Sequence, residues 1–203
     1  MATKLSNFIG DIGQGVKPNM FMVDITFPDQ TADSEKDMVN LLCKSAALPA
    51  SNLGVIEVPF RGRTVKIAGD RTFDTWTATF FNDKEMKIRG YFEQWLASMN
   101  THEGNTAPLF TPSETDGYTR TMKVKQLEKN GSTDGEVLRQ YELYYAFPTN
   151  VSQIDLAYDS NDQIEEFTVE FQYTYWKAVA GTSQTGVSGV KSGVGDQRLV
   201  EGW

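Results

Sequence analysis

Along much of the chain, apolar and polar side chains alternate one by one. In Met20–Phe27 the odd positions Phe21, Val23, Ile25 and Phe27 share a face, the period of a half-buried strand. Near the other end, Phe167, Val169, Phe171, Tyr173 and Tyr175 point one way, while Glu166, Glu170, Gln172 and Thr174 point the other. Tyr141, Leu143, Tyr145 and Phe147 repeat the pattern, and Pro148, which has no N–H to give, is expected to end that strand. Further strands are expected at 40–47, 54–60, 63–68, 73–81, 119–127 and 151–158. Thr72, Thr75, Thr77 and Thr79 around Trp76 add β-branched bulk that suits a pleated surface.

One segment changes period. Between about 83 and 99, Ile88, Phe92, Trp95, Leu96 and Met99 recur at helical spacing and form a single apolar stripe. Asn82 or Asp83 can cap this helix, and Glu85 follows Asn82 at capping-box spacing. Gly90 inside it costs up to ~1 kcal/mol against alanine, so tertiary packing must hold the helix there. Turn-forming residues fall at Asp29–Ser34, Asn100–Gly117, Asn130–Gly135 and Asp159–Asp162. The sum is a mainly β chain, a sandwich or barrel with one helix laid against it. Residues 1–18, with Gly10, Gly13, Gly15 and Pro18, read as an irregular N-terminal arm; 19–176 form the β domain; 177–203 are a Gly/Ser-rich extension.

Composition narrows the chemistry. With 203 residues the chain makes one or two domains, and its 24 aromatics (12 Phe, 8 Tyr, 4 Trp) mark a globular core. No apolar run approaches the ~20 residues that span a bilayer, and the start Met1–Leu5 lacks a signal-peptide stretch, so synthesis in the cytoplasm is expected. A single cysteine, Cys43, excludes an intrachain disulfide, and a single histidine, His102, removes most metal and acid–base constellations. His102 sits in a loop-like stretch, and Cys43 reads as a small buried hydrophobe, although Lys44 beside it would favour a thiolate if the two met. Gly13-Gln14-Gly15 lacks the third glycine and the strand–loop–helix setting of a dinucleotide site. Asp159-Ser160-Asn161-Asp162 with Glu165 and Glu166 fails the spacing of a calcium loop and reads as a turn. Glu165 and Glu166 would face opposite ways on a strand and so make no paired carboxylates. No catalytic, cofactor or metal site is expected, and no enzyme.

Charge adds a polarity. The net value of −8 argues against wrapping nucleic acid, whose binding rests on phosphate neutralisation. Residues 61–89 hold seven bases (Arg61, Arg63, Lys66, Arg71, Lys84, Lys87, Arg89) against four acids. Residues 140–176 hold seven acids (Glu142, Asp155, Asp159, Asp162, Glu165, Glu166, Glu170) and no base. The asymmetry fits either solvated strand faces or a unit with complementary ends, suited to stacking. Exposed sheet edges would serve the same end, since an uncovered edge is a pairing template.

Several segments, in order, resemble the tail tube subunits of contractile-tailed bacteriophages. They are Lys17-Pro18-Asn19 leading into Met20–Phe27, Cys43–Pro49, Val65–Trp76, Asn82-Asp83 opening the helix, Phe147–Val151, Tyr158–Asn161 and the closing Tyr175-Trp176. The resemblance covers about residues 17–176, and Ala68–Trp76 is its most specific block. It implies a two-sheet β-sandwich or barrel with one α-helix packed outside, six copies forming a ring, and rings stacking into a tube. The tube would stand in the virion tail inside a contractile sheath, meet baseplate and tail-terminator proteins, and pass DNA without binding it specifically. It further implies that Leu48–Phe73 is a projecting hairpin touching adjacent subunits or the next ring. Val58, Phe60, Arg61, Arg63, Lys66, Asp70 and Arg71 are then candidate interface residues, with Glu142 and Glu170 as acidic partners. Asp70-Arg71 as an internal pair at a turn is the competing reading. Residues 1–16, 99–117 and 177–203 depart from the family pattern, and the last would add contacts outside the tube or between rings.

A conduit should not hold what passes through it, and an acidic wall does not attract phosphates. Six copies would carry six times −8, or −48 per ring, offset by pairs between subunits or screened within ~8 Å at physiological salt. A tube of a related contractile injection or type VI secretion machine is an alternative, and a monomeric β-barrel binding module lined by the aromatics is another.

Overall fold

A computed structural model describes residues 5, 9, 12–13, 15–28, 33–129, 136–159 and 161–180. Its elements are β1 (Phe21–Asp24), α1 (Asp33–Leu41), β2 (Cys43–Ala46), β3 (Asn52–Phe60), β4 (Arg63–Thr72), β5 (Trp76–Phe81), α2 (Lys87–Met99), β6 (Arg120–Glu128), β7 (Glu136–Val151), β8 (Glu166–Gln172) and β9 (Tyr175–Ala180). All strand pairs are antiparallel. Seven strands form one ladder, β1-β6-β7-β8-β5-β2, with β9 added to β7; β3 and β4 stand apart as a hairpin. The path has two ends at β1 and β2, so the sheets form a sandwich that does not close into a barrel.

Strand β7 joins the two sheets. Its first half pairs with β6 and β9, up to Tyr144 opposite Tyr175, and its second half pairs with β8 from Phe147 opposite Gln172. The turnover is at Tyr145, whose backbone has φ 55° and whose N–H is taken by Glu114 Oε1 at 3.1 Å. The residue there changes the alternation. Leu143 faces the core, Tyr145 is exposed, and Ala146 and Pro148 face inward. Pro148 therefore does not end the strand as its missing donor predicted. It lies opposite Phe171, and the register slips between Pro148 and Asn150, a bulge that tolerates the absent N–H.

The expected strand at 151–158 also fails to form beyond Val151. The Ser152 hydroxyl takes the Thr168 N–H at 2.9 Å, and the Ser152 carbonyl accepts a bond from the Arg89 guanidinium at 2.9 Å. With those groups used, the ladder stops, and residues 152–159 and 161–165 lie outside any strand. The expected strand at 40–47 is divided, because α1 occupies the chain up to Leu41. This second helix buries Val39, and its Asn40 Oδ1 accepts the Ile25 N–H at 3.0 Å just past the end of β1. In the arm, Leu5, Ile9 and Ile12 adopt helical conformation, where glycine-rich texture suggested irregular chain.

The apolar stripe of α2 enters the same core as both sheets. Ile88, Phe92 and Trp95 are buried with Val23, Ile25, Phe27, Trp76, Phe80, Phe167, Val169 and Phe171. Phe92 lies 5.2 Å from Phe27 and Phe80, and 5.9 Å from Phe171, in tilted and edge-on packing that favours aromatic pairs. The helix starts later than the 83–99 pattern predicted, because Met86 is left-handed (φ 55°) and offers no side-chain cap. Asp83 does the capping at a distance, its Oδ1 accepting Ile88 N–H at 3.1 Å and its Oδ2 accepting Glu85 N–H at 3.2 Å. Asn82 turns away to Glu165, and Glu85 bonds Lys87, so the capping box does not form.

The long 100–119 loop is tied down by buried groups. Trp95 Nε1 donates to Tyr118 O at 2.7 Å, and the Arg120 guanidinium donates to Gly117 O (2.8 Å), Thr119 O (2.6 Å) and Pro28 O (3.0 Å). Burial lowers the Arg120 pKa from its ordinary value, and the nearby carboxylates of Glu114 and Asp116 oppose that shift.

Candidate assembly interface

Two indoles root the β3–β4 hairpin. Trp76 Nε1 donates to Ala47 O at 2.6 Å and Trp176 Nε1 to Ala50 O at 2.8 Å, which fixes the chain entering β3. From that base the strands pair from Asn52 opposite Thr72 to Phe60 opposite Arg63. Nine or ten residues at ~3.4 Å each reach about 30 Å. The turn has two residues, Arg61 (φ 45°) and Gly62 (φ 82°), the left-handed pair whose twist suits a tight hairpin. Glycine supplies one of those angles at no steric cost. Arg61 tolerates the other while its guanidinium lies 5.4 Å from the Phe60 ring centroid. The projecting hairpin expected over Leu48–Phe73 is therefore present.

Its two faces differ. Ile56 opposite Ile67, Val58 opposite Val65, and Phe60 opposite Arg63 make one apolar face. On the other, Glu57 lies opposite Lys66 with their charged groups 3.6 Å apart, and Pro59 lies opposite Thr64. Val58 is 42% exposed and Phe60 61%, with Ile56, Val65 and Ile67 between these values. A row of half-exposed aliphatic and aromatic side chains on a free ribbon is suited to docking, since covering each would gain roughly 1 kcal/mol or more. Arg61 stands at the tip, Arg63 beside Phe60, and Asp70 and Arg71 near the base. Among the described residues neither Asp70 nor Arg71 joins an ion pair, so the internal Asp70–Arg71 pair does not form.

The two acidic candidates lie elsewhere. Glu142 sits in a cross-strand row, Asp24–Lys123–Glu142–Lys177, on the outer face of the β1-β6-β7-β9 sheet. Its carboxylate is 3.8 Å from Lys123 Nζ and accepts bonds from Gln140 Nε2 (2.8 Å) and the Tyr144 hydroxyl (2.6 Å). That last bond, together with burial, pushes the Tyr144 pKa up to about 12. Glu142 is thus committed within its own subunit. Glu170 lies on the outer face of the other sheet, opposite Thr77, where Thr79 and Thr168 bond each other at 3.2 Å. The structure brings neither acid to the hairpin.

Two surfaces carried no expectation. The 152–165 connection and Phe81 enclose a groove of about 1140 Å³ in which Leu156, Tyr158 and Ile164 are largely exposed. Reading 151–158 as a strand concealed it. Leu5, Ile9, Ile12 and Val16 form an exposed apolar series at helical spacing, legible in the sequence once the glycines between them are discounted.

Side chains with reactive potential are subdued. Burial pushes the Cys43 thiol up to about 12, against the lowering effect of a backbone hydrogen bond from Ser45, and so holds it neutral. Lys44 points instead to Glu166, 2.6 Å from its Oε2. His102 is exposed in the 100–119 loop. Asp159 and Asp162 lie in the 152–165 connection, where Asn161 N–H bonds Asp159 O at 3.0 Å. Among the described residues no helix is long and apolar enough to cross a membrane.

The family model described as phage tail tube protein matches residues 16–179. The chain belongs to the phage tail tube family. The tail tube protein gp19 of Enterobacteria phage T4 is 34% identical over 165 residues, which cover 81% of this chain and 93% of that one. The tail tube protein of Serratia phage KSP90 is 30% identical over 189 residues, 91% of this chain and 100% of that one. Among solved structures, the tube-terminating cap of the anti-feeding prophage shares the fold of this tail tube family member with TM-score 0.56. Its identity is 16%, and the match covers 81% of this chain and 91% of that one. A chain of the sheath–tube complex of an extracellular contractile injection system matches with TM-score 0.51 at 15% identity, over 88% and 99%. The mainly β sandwich with a packed helix is therefore the fold of this tail tube family member and of injection-system tube assemblies alike.

Proposed function

We propose that six copies of this tail tube subunit close into a ring, that rings stack into a hollow tube in the virion tail, and that DNA passes along the lumen at infection. The observation that carries the reading is the β3–β4 hairpin, which projects an apolar face that its own subunit leaves uncovered. An isologous or head-to-tail contact would cover it. Val58, Phe60, Arg61, Arg63, Lys66, Asp70 and Arg71 form the assembly surface on the hairpin side. Glu142 and Glu170 then act where they stand, on the outer sheet faces. The role is geometric and not enzymatic, in keeping with a neutral Cys43 thiol and an exposed loop histidine. The injection-system relatives include sheath, baseplate and terminator assemblies, and the same kinds of partner suit this subunit. A ring of six carries six times −8, or −48, a wall with no general attraction for phosphate.

Negative-stain electron microscopy of the purified protein, with sedimentation velocity, tests this directly. Six-fold rings and stacks are expected; a monodisperse monomer at every concentration and salt would refute it. Phe60→Asp should leave the monomer folded by far-UV circular dichroism and remove the rings.

A further inference from the structure

Resting on the tube reading, a partner surface for the hairpin can be named. We infer that the tip of the β3–β4 hairpin seats in the groove between Phe81 and the 152–165 connection of a neighbouring copy. Both surfaces combine exposed apolar side chains with charges of one sign that lack an ion-pair partner among the described residues, and the signs are opposite. The hairpin offers Val58 and Phe60 flanked by Arg61 and Arg63, which have no acidic partner among the described residues. The connection offers Leu156 (81% exposed) and Ile164 (68%), with Asp155, Asp159 and Asp162 among them and no base between 140 and 176.

The other acids near this groove are already engaged: Glu166 holds Lys44, and Glu165 accepts from Asn82. Asp159 and Asp162 are left for a cation from outside, and Arg61 and Arg63 stand at the leading end of the projecting element. Tyr158 is fully exposed beside them and offers its ring face to a guanidinium. A two-stranded ribbon suits an open groove of about 1140 Å³. Opposite charges of this kind steer encounter and fix orientation, while the apolar contacts beneath them supply the affinity.

A disulfide test reads the contact. Arg61→Cys with Asp159→Cys in one chain should, on mild oxidation of assembled tubes, give a ladder of oligomers on non-reducing gels. Each single variant and the native chain should give none. Normal tubes without a ladder would overturn the docking while leaving the tube reading intact. If the double-cysteine chain does not assemble, charge exchange decides. Arg61→Asp with Arg63→Asp, or Asp159→Arg with Asp162→Arg, should each lower tube yield about ten-fold or more, and the four changes together should restore it. Failure of the combined chain to recover would overturn the proposal. Absence of rings from the native protein itself would instead overturn the tube reading, and this contact with it.

Discussion

The β5–β8 pair and the β3–β4 hairpin follow the same rule and meet opposite fates. In β5–β8, Trp76, Ala78 and Phe80 lie opposite Phe171, Val169 and Phe167, and all six are buried. In β3–β4, Ile56, Val58 and Phe60 lie opposite Ile67, Val65 and Arg63, and none is buried. Alternation sorts side chains onto a face, but it does not say which body will cover that face. For β5–β8 the cover is α2 of the same chain, through Phe92 and Trp95. For the hairpin no element among the described residues supplies one. Side-chain chemistry is similar in the two, so the difference is one of reach: the hairpin leaves the sandwich at the two indole bonds and meets no cover among the described residues.

The largest effect that could break this contrast is in the core. Phe171→Ala should cost about 3–5 kcal/mol of monomer stability, read by urea denaturation, because it empties a site packed by Trp76, Phe92 and Trp95. Phe60→Ala, though also a lost phenyl ring, should change monomer stability by less than about 0.5 kcal/mol and yet suppress ring formation. Equal losses from the two variants would erase the distinction. Next is Asp83→Ala, which removes the acceptor for two N–H groups at the start of α2 and should cost about 1 kcal/mol. Assembly, at fixed folded concentration, should not change.

Gly90→Ala works in the other direction. A Cβ there meets nothing within 4 Å, so the substitution should raise stability by about 0.5–1 kcal/mol, visible as a higher urea midpoint. The smallest and most gradual effect is alkaline. Cys43 and Tyr144 both have folded pKa values raised to about 12, so the folded state keeps their protons where the unfolded chain releases them. The stability they contribute is fully present below their unfolded values and is lost as pH rises towards about 12. A urea midpoint that falls between pH 9 and 12, and falls less in Tyr144→Phe, checks this.

Much of the sandwich was legible because its strands are amphipathic: Val23, Ile25, Phe167, Val169 and Phe171 are all at core positions that alternation assigns. The stripe of α2 was legible for the same reason at a different period. What escaped was set by single groups acting across the fold. Glu114 satisfies the N–H at Tyr145 and lets β7 turn there, and the Ser152 hydroxyl ends a ladder that sequence pattern would extend. Pro148 misled because a bulge directly after it absorbs its missing donor. In α1, Asp33–Leu41, Val39 is the one buried residue among those described, too little periodicity to outweigh the neighbouring strand signal. In the candidate interface, family resemblance located the hairpin and its basic residues. Glu142, however, is held by Lys123, Gln140 and Tyr144, contacts that require the cross-strand register and so are invisible in a linear reading.

The sixteen residues of β7 belong to both sheets. A push delivered to one sheet therefore reaches the other through continuous covalent backbone, by way of the turn at Tyr145. Stacked end to end, such subunits would behave as a column of rigid blocks, and compliance would reside in the joints between copies.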